Sequence, residues 1–376
     1  MPFNMNESEE FTIGIEEEYQ IIDPQTKELC GRSQQIIGYV RDNLELEKDV
    51  IQPELYRSQV EIATVVCQSL PEARQELTRC RQAVINAAEA SGKAIAAAGT
   101  HPFSDWQEQE ITPKQRYRNL EADFQQIVRE LVIFGNHVHI GLSDRAIALQ
   151  VINRVRIWLP VFLALSANSP FWLGQTTGYA SYRSQMWTRL PMTGQPQIFS
   201  DEREYQTTIK DLISVGVIKD PTNIYWDIRL SEKFPTIEFR VTDICMTVEE
   251  AITITGLVRA LAWQGYQEVI NDAPLDSIRS EMLEASQWCA ARYGLTGNLI
   301  DVTNKVQLPA KELINKFLNY LRPGLEKFGD WEVISAAVQK IVDKGNGAQR
   351  QLAIYEKNNS LEEVVDYIVE QTKTFN

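Results

Sequence analysis

A chain of 376 residues is more than twice the usual domain length, and 44% hydrophobic with 23% charged residues is ordinary globular composition. It can bury a sizeable core, which excludes disorder as its main character. The 37 Lys and Arg against 51 Asp and Glu leave a net charge of −14, which argues against a general nucleic-acid or anionic-membrane binder, whose affinity rests on clustered cations. A local basic pocket is still compatible with that balance.

The N-terminal MPFNMNESEEF has neither a basic flank nor an apolar segment, so no signal peptide is expected. Residues 11–22, FTIGIEEEYQII, then alternate with period two. Phe11, Ile13, Ile15, Tyr19 and Ile21 share one face, and Glu16, Glu18 and Gln20 share the other. Glu17 falls on the apolar side, a blemish in the pattern. Residues 57–66 repeat the alternation, with Val60, Ile62 and Val66 opposite Arg57, Gln59 and Glu61. His101, in GTHPF, fits a structural role or a pocket rim equally well. Residues 134–141, FGNHVHIG, set His137 and His139 opposite Phe134, Val138 and Ile140.

The longest apolar stretch, Ile157 to Ala167, is interrupted by Pro160 and Ser166, so no membrane span is expected. Residues 174–194 are densely aromatic and basic, with Tyr179, Tyr182, Arg183, Trp187 and Arg189. They fit either a loop closing on an anionic substrate or an amphipathic connection packed by Tyr and Trp. Residues 225–231 set Asp227 and Arg229 opposite Trp226, Ile228 and Leu230, and residues 236–242 set Glu238 and Arg240 opposite Ile237, Phe239 and Val241.

From there the chain reads as helical. Thr247 and Glu250 form a capping box before a helix over 248–270, with others near 275–293, 309–321, 331–343 and 360–373. Between the last two, Lys344–Arg350 (KGNGAQR) reads as a break between helices. The five cysteines are odd in number and lack CxxC spacing, which points to reduced thiols and a cytoplasmic location. The expected architecture is α+β: one catalytic domain over 1–376, strand-rich in 11–245 and helical in 246–376.

Five strand segments therefore carry Glu, His or Arg on one face and no Lys. Glutamates two apart on a strand lie ~6.5–7 Å apart at Cα. Their like charges raise each other's pKa unless a cation sits between them. Such an oxygen-rich set suits Mg²⁺ or Mn²⁺ better than zinc. Arginines beside it suit phosphate or carboxylate. No GxxxxGK[ST], GxGxxG or GxSxG occurs, so neither a P-loop, a Rossmann site nor a serine nucleophile is indicated.

The motifs GIEEEYQ (14–20), QVEIAT (59–64), GNHVHIG (135–141), SYRSQMW (181–187) and IEFRVTD (237–243) together resemble the type 2 glutamate–cysteine ligase family, in its bacterial carboxylate-amine ligase branch. The resemblance implies a glutamine synthetase-like fold: a curved antiparallel sheet forming an open funnel, with helices on its outer side. It also implies ATP and Mg²⁺ (or Mn²⁺) on the inner face. By similarity, Glu16, Glu18, Glu61, His137 and Glu238 are the metal ligands, Arg240 contacts the transferred phosphate, and Arg183 holds a substrate carboxylate. Glu61 joins Arg240 as catalytic, and Arg57 and Trp187 join Arg183 as substrate-binding. His139, Arg229, Arg189 and Arg350 are further candidates. The implied reaction is amide formation through an acyl phosphate, with glutamate and cysteine as the leading pair of small-molecule substrates and a homodimer as a compatible assembly. A ligase for another acid and amine, a metal-dependent amide hydrolase working without ATP, and a catalytically silent homologue stay open at this point.

Overall fold

The computed structural model describes residues 10–43, 47 and 50–375, so the reading of the first nine residues lies outside it. Seven strands form one sheet: β1 (Ile13–Ile22), β2 (Ile51–Pro53), β3 (Gln59–Ala63), β4 (Ala94–Ala96), β5 (Gly135–Gly141), β6 (Ile228–Leu230) and β7 (Thr236–Asp243). Their order is β6-β7-β5-β1-β3-β2, with β4 pairing the second half of β1, and every pairing is antiparallel.

One face of the sheet is covered. Ile13, Ile15, Tyr19, Val60, Ile62, Phe134, Val138, Ile140 and Phe239 are all at most 2% exposed. The helices against them include α1 (Ser33–Asn43), α2 (Leu70–Ala90), α4 (Arg145–Val155) and α6 (Val248–Ile270), while α3 (Gln115–Phe124) and α5 (Tyr182–Trp187) border the other face. α6 starts with the expected capping box, in which Thr247 accepts from the Glu250 amide. It is buried along most of its length, as a helix apolar on several sides must be. The helical stretch Arg145–Ser166 reaches the length and apolarity of a membrane span, yet 67% of its apolar window is buried against the rest of the chain, as in a core helix.

Glu17 is not a blemish. Its side chain is fully buried behind the sheet, 2.5 Å from Arg81 Nη2, and it also takes a hydrogen bond from Tyr19. Arg81 goes on to donate to the Cys245 and Met246 carbonyls at 3.2 and 3.0 Å. A buried ion pair thus ties β1 to the chain leaving β7.

The C-terminal third is helical as expected, at 280–293, 310–328, 331–344 and 361–372. Gly345, at φ 85°, supplies the break, and Asn346 caps a further helix over 347–358. A hairpin at 298–301 and 306–309 interrupts the helices. The helical content of the first 245 residues is larger than the strand-rich reading suggested, because the strands alternate with the helices that cover them.

Candidate active site

Cross-strand register assembles the open face. Glu16 pairs with His137 on β5, Glu18 with Glu61 on β3, and Glu238 with both His139 and Arg229. Side chains directly opposite one another on a sheet come within contact distance. The register therefore converts five separate alternating segments into one cluster. It lines a cavity of about 550 Å³ together with Arg183, Trp187 and Arg240.

β7 contains the device that finishes the site. Phe239 pairs with Val138 and Thr242 with Asn136, so two residues, Arg240 and Val241, oppose one. This bulge re-aims the strand. Arg240 stays on the cavity side and donates to Glu238, and its guanidinium lies 5.6 Å from the centre of the Trp187 ring. Beyond the bulge the parity reverses. Thr242 turns to the covered side, and Asp243, fully buried, points toward α5.

Asp243 organises Arg183. Its Oδ2 accepts from the Asn168 amide (2.8 Å) and Ser169 Oγ (2.7 Å), and its Oδ1 accepts from Ser181 Oγ at 2.8 Å. Ser181 is the N-cap of α5, and the Arg183 amide donates to Ser169 Oγ at 3.0 Å. Arg183 Nη1 then lies 3.8 Å from Asp243 Oδ1. Two glycines make room. A Cβ on Gly135 would strike the Arg183 guanidinium, and one on Gly99 would come within 2.8 Å of the Asp243 carboxyl carbon.

The electrostatics follow from burial and neighbours. Burial and the nearby Glu54 push Glu18 up to about 7, against the pull of Arg183, the Gly135 amide (2.6 Å to Glu18 Oε2) and Arg240. Burial, then Glu16, Glu54 and Glu18, hold Glu61 well above the carboxylate range. Glu16 moves the other way: burial raises it, but His137 and His139 outweigh burial. Burial likewise opposes the depression of Glu238, where Arg240 and Arg229 prevail. Burial, helped by Arg240, takes His137 down to about 4, whereas His139, buried too, is raised by Glu16 and Glu238.

This donor set fits a divalent cation. Ligand atoms of Glu16, His139 and Glu238 lie within 4.8 Å of one another. His139 Nε2 is buried without a hydrogen-bond partner, 3.4 Å from Glu16 Oε1. Glu18 and Glu61 are raised by burial and by neighbouring carboxylates, and a cation between them would favour their charged forms. The mostly carboxylate set matches Mg²⁺ or Mn²⁺ chemistry. His137 sits beside the trio, with Nδ1 3.1 Å from Glu16 Oε2, so the geometry favours His139 over His137 as the imidazole of this cluster.

Other candidates are placed differently. Arg229 lines the cavity and donates to Glu238 at 2.8 and 3.2 Å. Trp187 lines it too, with Nε1 donating to the Tyr225 carbonyl at 3.1 Å. Arg57 does not reach the site: it lies in the turn before β3, outside the strand alternation, and pairs with Glu110. Val66, past the end of β3, is 67% exposed for the same reason. Arg350 is spent on Glu250, beside the capping box of α6. Arg189 pairs with Glu130 at 2.6 Å and does not line the cavity. His101 is structural: it joins the Lys27 carbonyl (2.9 Å) and accepts the Ser104 amide (2.9 Å), and burial holds it down near 3.

Sequence reasoning missed Glu54 and Asp243. Glu54 follows Pro53 at the end of β2, where no alternation marks it. Asp243 is on the wrong parity unless the bulge is known. Asp227 was legible from its alternation with Arg229. It is buried near Arg183 and Arg240, and burial raises it to about 6.

Comparison with known proteins gives the family and the fold. The sequence profile of glutamate–cysteine ligase family 2 matches residues 12–367. A Rhodopirellula baltica protein carrying the provisional name glutamate–cysteine ligase 2 is 39% identical over 363 residues, 96% of each chain. One of the same provisional name from Solibacter usitatus is 40% identical, covering 96% of this chain and 93% of its own. Glutamate–cysteine ligase from Francisella tularensis, solved with AMP, shares the fold at a TM-score of 0.69 and 11% identity, over 97% of this chain and 89% of that one. A bifunctional glutathione synthetase from Pasteurella multocida does so at 0.67 and 14%, over 97% of this chain and 52% of that one. The fold is thus the glutamine synthetase-like one that the motifs implied. The chain belongs to glutamate–cysteine ligase family 2 and is an enzyme of the carboxylate–amine ligase type.

Proposed function

We propose that the cavity joins the γ-carboxylate of glutamate to the amine of cysteine at the expense of ATP, with Mg²⁺ as the metal. The observation that carries this reading is the convergence of Glu16, Glu18, Glu61 and Glu238 with Arg183 and Arg240 in one cavity. Acid, nucleotide and phosphate are all anions, so a site for them needs positive charge in a fixed frame.

In the first step a carboxylate oxygen attacks the γ-phosphorus and ADP leaves. In the second the amine nitrogen attacks the acyl carbon and inorganic phosphate departs. Arg240, braced by Glu238 and Trp187, is positioned to neutralise the phosphoryl group through both steps. Arg183, held by the α5 N-terminus and Asp243, presents a planar fork to a substrate carboxylate. When bound by Glu16, Glu18, Glu61, Glu238 and His139, Mg²⁺ supplies the remaining charge neutralisation. One catalytic unit spanning the chain, in a cytoplasmic setting consistent with five unpaired cysteines, completes the proposal.

The test is ADP release from Mg²⁺-ATP. It should require glutamate and an amine together, and with cysteine should yield a γ-glutamyl product by mass. Release with a different amine only would replace cysteine. Amide hydrolysis without ATP, or no ADP release with any pair, would refute the proposal.

A further inference from the structure

The cavity has two chemically different ends. Beside Glu238 and His139 it is lined by Arg229, Lys233 and the exposed ring of Phe234, which meets the His139 ring edge-on at 6.4 Å. With Glu232 beside them and Arg229 paired with Glu238, that end is charged with both signs and aromatic. Beside Glu18 and Glu61 the wall is apolar, made by Leu55, Tyr117, Leu120, Leu131 and Ile133.

The apolar wall is built rather than incidental. Tyr117 and Leu120 are three residues apart on α3 and so share a face. Tyr117 Oη donates to the Pro53 carbonyl at 3.2 Å, which docks α3 on the end of β2. Gln59 Nε2 donates to the Ile133 carbonyl at 3.1 Å, which fixes the opposite wall on β3. Both segments are therefore held by the sheet that carries the glutamates.

Charged groups interrupt this wall: Glu47, Glu54, Lys114 and Arg116 all line the cavity, and Lys114 Nζ donates to the Pro53 carbonyl at 3.2 Å. Glu54 lines it close enough to Glu18 and Glu61 to repel both. Arg116 lines it from α3, is exposed, and has no hydrogen-bond or carboxylate partner among the described residues. An acid, an unpaired guanidinium and an apolar surface complement the three parts of an α-amino acid: ammonium, carboxylate and side chain. Cysteine, with one methylene and a thiol, would leave most of the apolar surface uncovered.

We propose that the acceptor end takes α-amino acids with apolar side chains larger than that of cysteine, leucine and phenylalanine among them. Their ammonium lies at Glu54, their carboxylate at Arg116, and their side chain against Tyr117, Leu120, Leu131 and Ile133. This rests on the ligase reading and extends its amine range. Each methylene taken out of water contributes on the order of fourfold in binding, so the preference is measurable.

The experiment uses the full chain with Mg²⁺-ATP and glutamate. Phosphate release is followed with glycine, alanine, cysteine, leucine, phenylalanine and 3-methylbutylamine, which is leucine without its carboxyl group. Leucine or phenylalanine should exceed glycine and alanine at least tenfold in kcat/KM and at least equal cysteine. Leu120→Asn should lower the leucine-to-alanine ratio at least fivefold. Arg116→Gln should raise the KM for leucine at least tenfold and that for 3-methylbutylamine less than twofold. A flat panel, activity with cysteine alone, or equal effects of Arg116→Gln on leucine and 3-methylbutylamine would overturn the inference while leaving the ligase reading in place. Absence of phosphate release with every amine would instead sink the ligase reading. Calorimetric titration then decides the pocket by itself: leucine binding at least tenfold tighter than glycine supports it, and equal or absent binding overturns it.

Discussion

Glu61 illustrates what a single side chain does here. It is on the open face, opposite Glu18, and burial with three neighbouring carboxylates holds its pKa up. Glu61→Gln removes a carboxylate oxygen that could ligate a metal, without removing volume. It should cut ATP turnover at least a hundredfold while the melting temperature of the metal-free protein stays the same or rises. Turnover near that of the parent enzyme would take Glu61 out of the site. Glu17, one position from Glu16 and Glu18, should behave in the opposite sense. Glu17→Gln leaves Arg81 as an uncompensated buried charge, so urea melts should register a loss of about 3–5 kcal/mol. Glu16→Gln and Glu18→Gln should instead affect turnover with little loss of stability. If Glu17→Gln melts like the parent chain, the buried pair is not the tie described above. These opposite roles were legible as strand parity, but the partner of Glu17 was not, because Arg81 lies 64 positions away on α2.

Between elements, position is set by caps, bulges and close approaches. Arg183 owes its place to the Ser181 cap, to Asp243 beyond the bulge of β7, and to the missing Cβ of Gly135. Arg183→Lys keeps the charge but loses the planar fork. It should raise the KM for the acid substrate about tenfold or more and that for ATP little. Gly135→Ala, which touches no substrate, should produce the same selective rise by displacing the guanidinium. A rise confined to the ATP KM in either variant would count against this role. Alternation in β1, β3, β5, β6 and β7 was enough to put Glu16, Glu18, Glu61, His137, His139, Arg229, Glu238 and Arg240 on the face that lines the cavity. It misled at Arg57, because the strand begins only at Gln59 and a turn precedes it. It missed Asp243 because a bulge reverses parity, and a bulge depends on the partner strand and leaves no local mark.

Across the molecule, the sheet gathers more negative charge on one face than water-excluded carboxylates tolerate unaided. Glu18 is the clearest case, with its pKa raised from 4.5 to about 7. A carboxyl raised in the fold binds its proton more tightly there than in the unfolded chain. Its contribution is therefore full below pH 4.5 and is lost as pH rises through 7. His101 and His137, held near 3 and 4 by burial, gain stability over the same range, so the effect is read as a difference. In denaturant melts of metal-free protein the parent chain should lose stability relative to Glu18→Gln across that window, and Mg²⁺ should reverse the loss. A difference that does not change with pH, or indifference to Mg²⁺, would contradict the cation-binding role. The sheet, its covered face and the helical C-terminal third were readable from periodicity and caps. The division of the cavity into a charged, aromatic end and an apolar one was not, because α3 and the 131–133 segment reach the sheet through contacts distant in sequence, among them hydrogen bonds to Pro53 and from Gln59.

The acyl-phosphate route makes a claim about one atom. Glutamate labelled with ¹⁸O in its γ-carboxylate, incubated with Mg²⁺-ATP and an accepted amine, should deliver one ¹⁸O into each inorganic phosphate released, read by mass spectrometry. Unlabelled phosphate alongside product would mean that the carboxylate never attacked phosphorus, and the mechanism built on Arg240 and the four glutamates would be wrong.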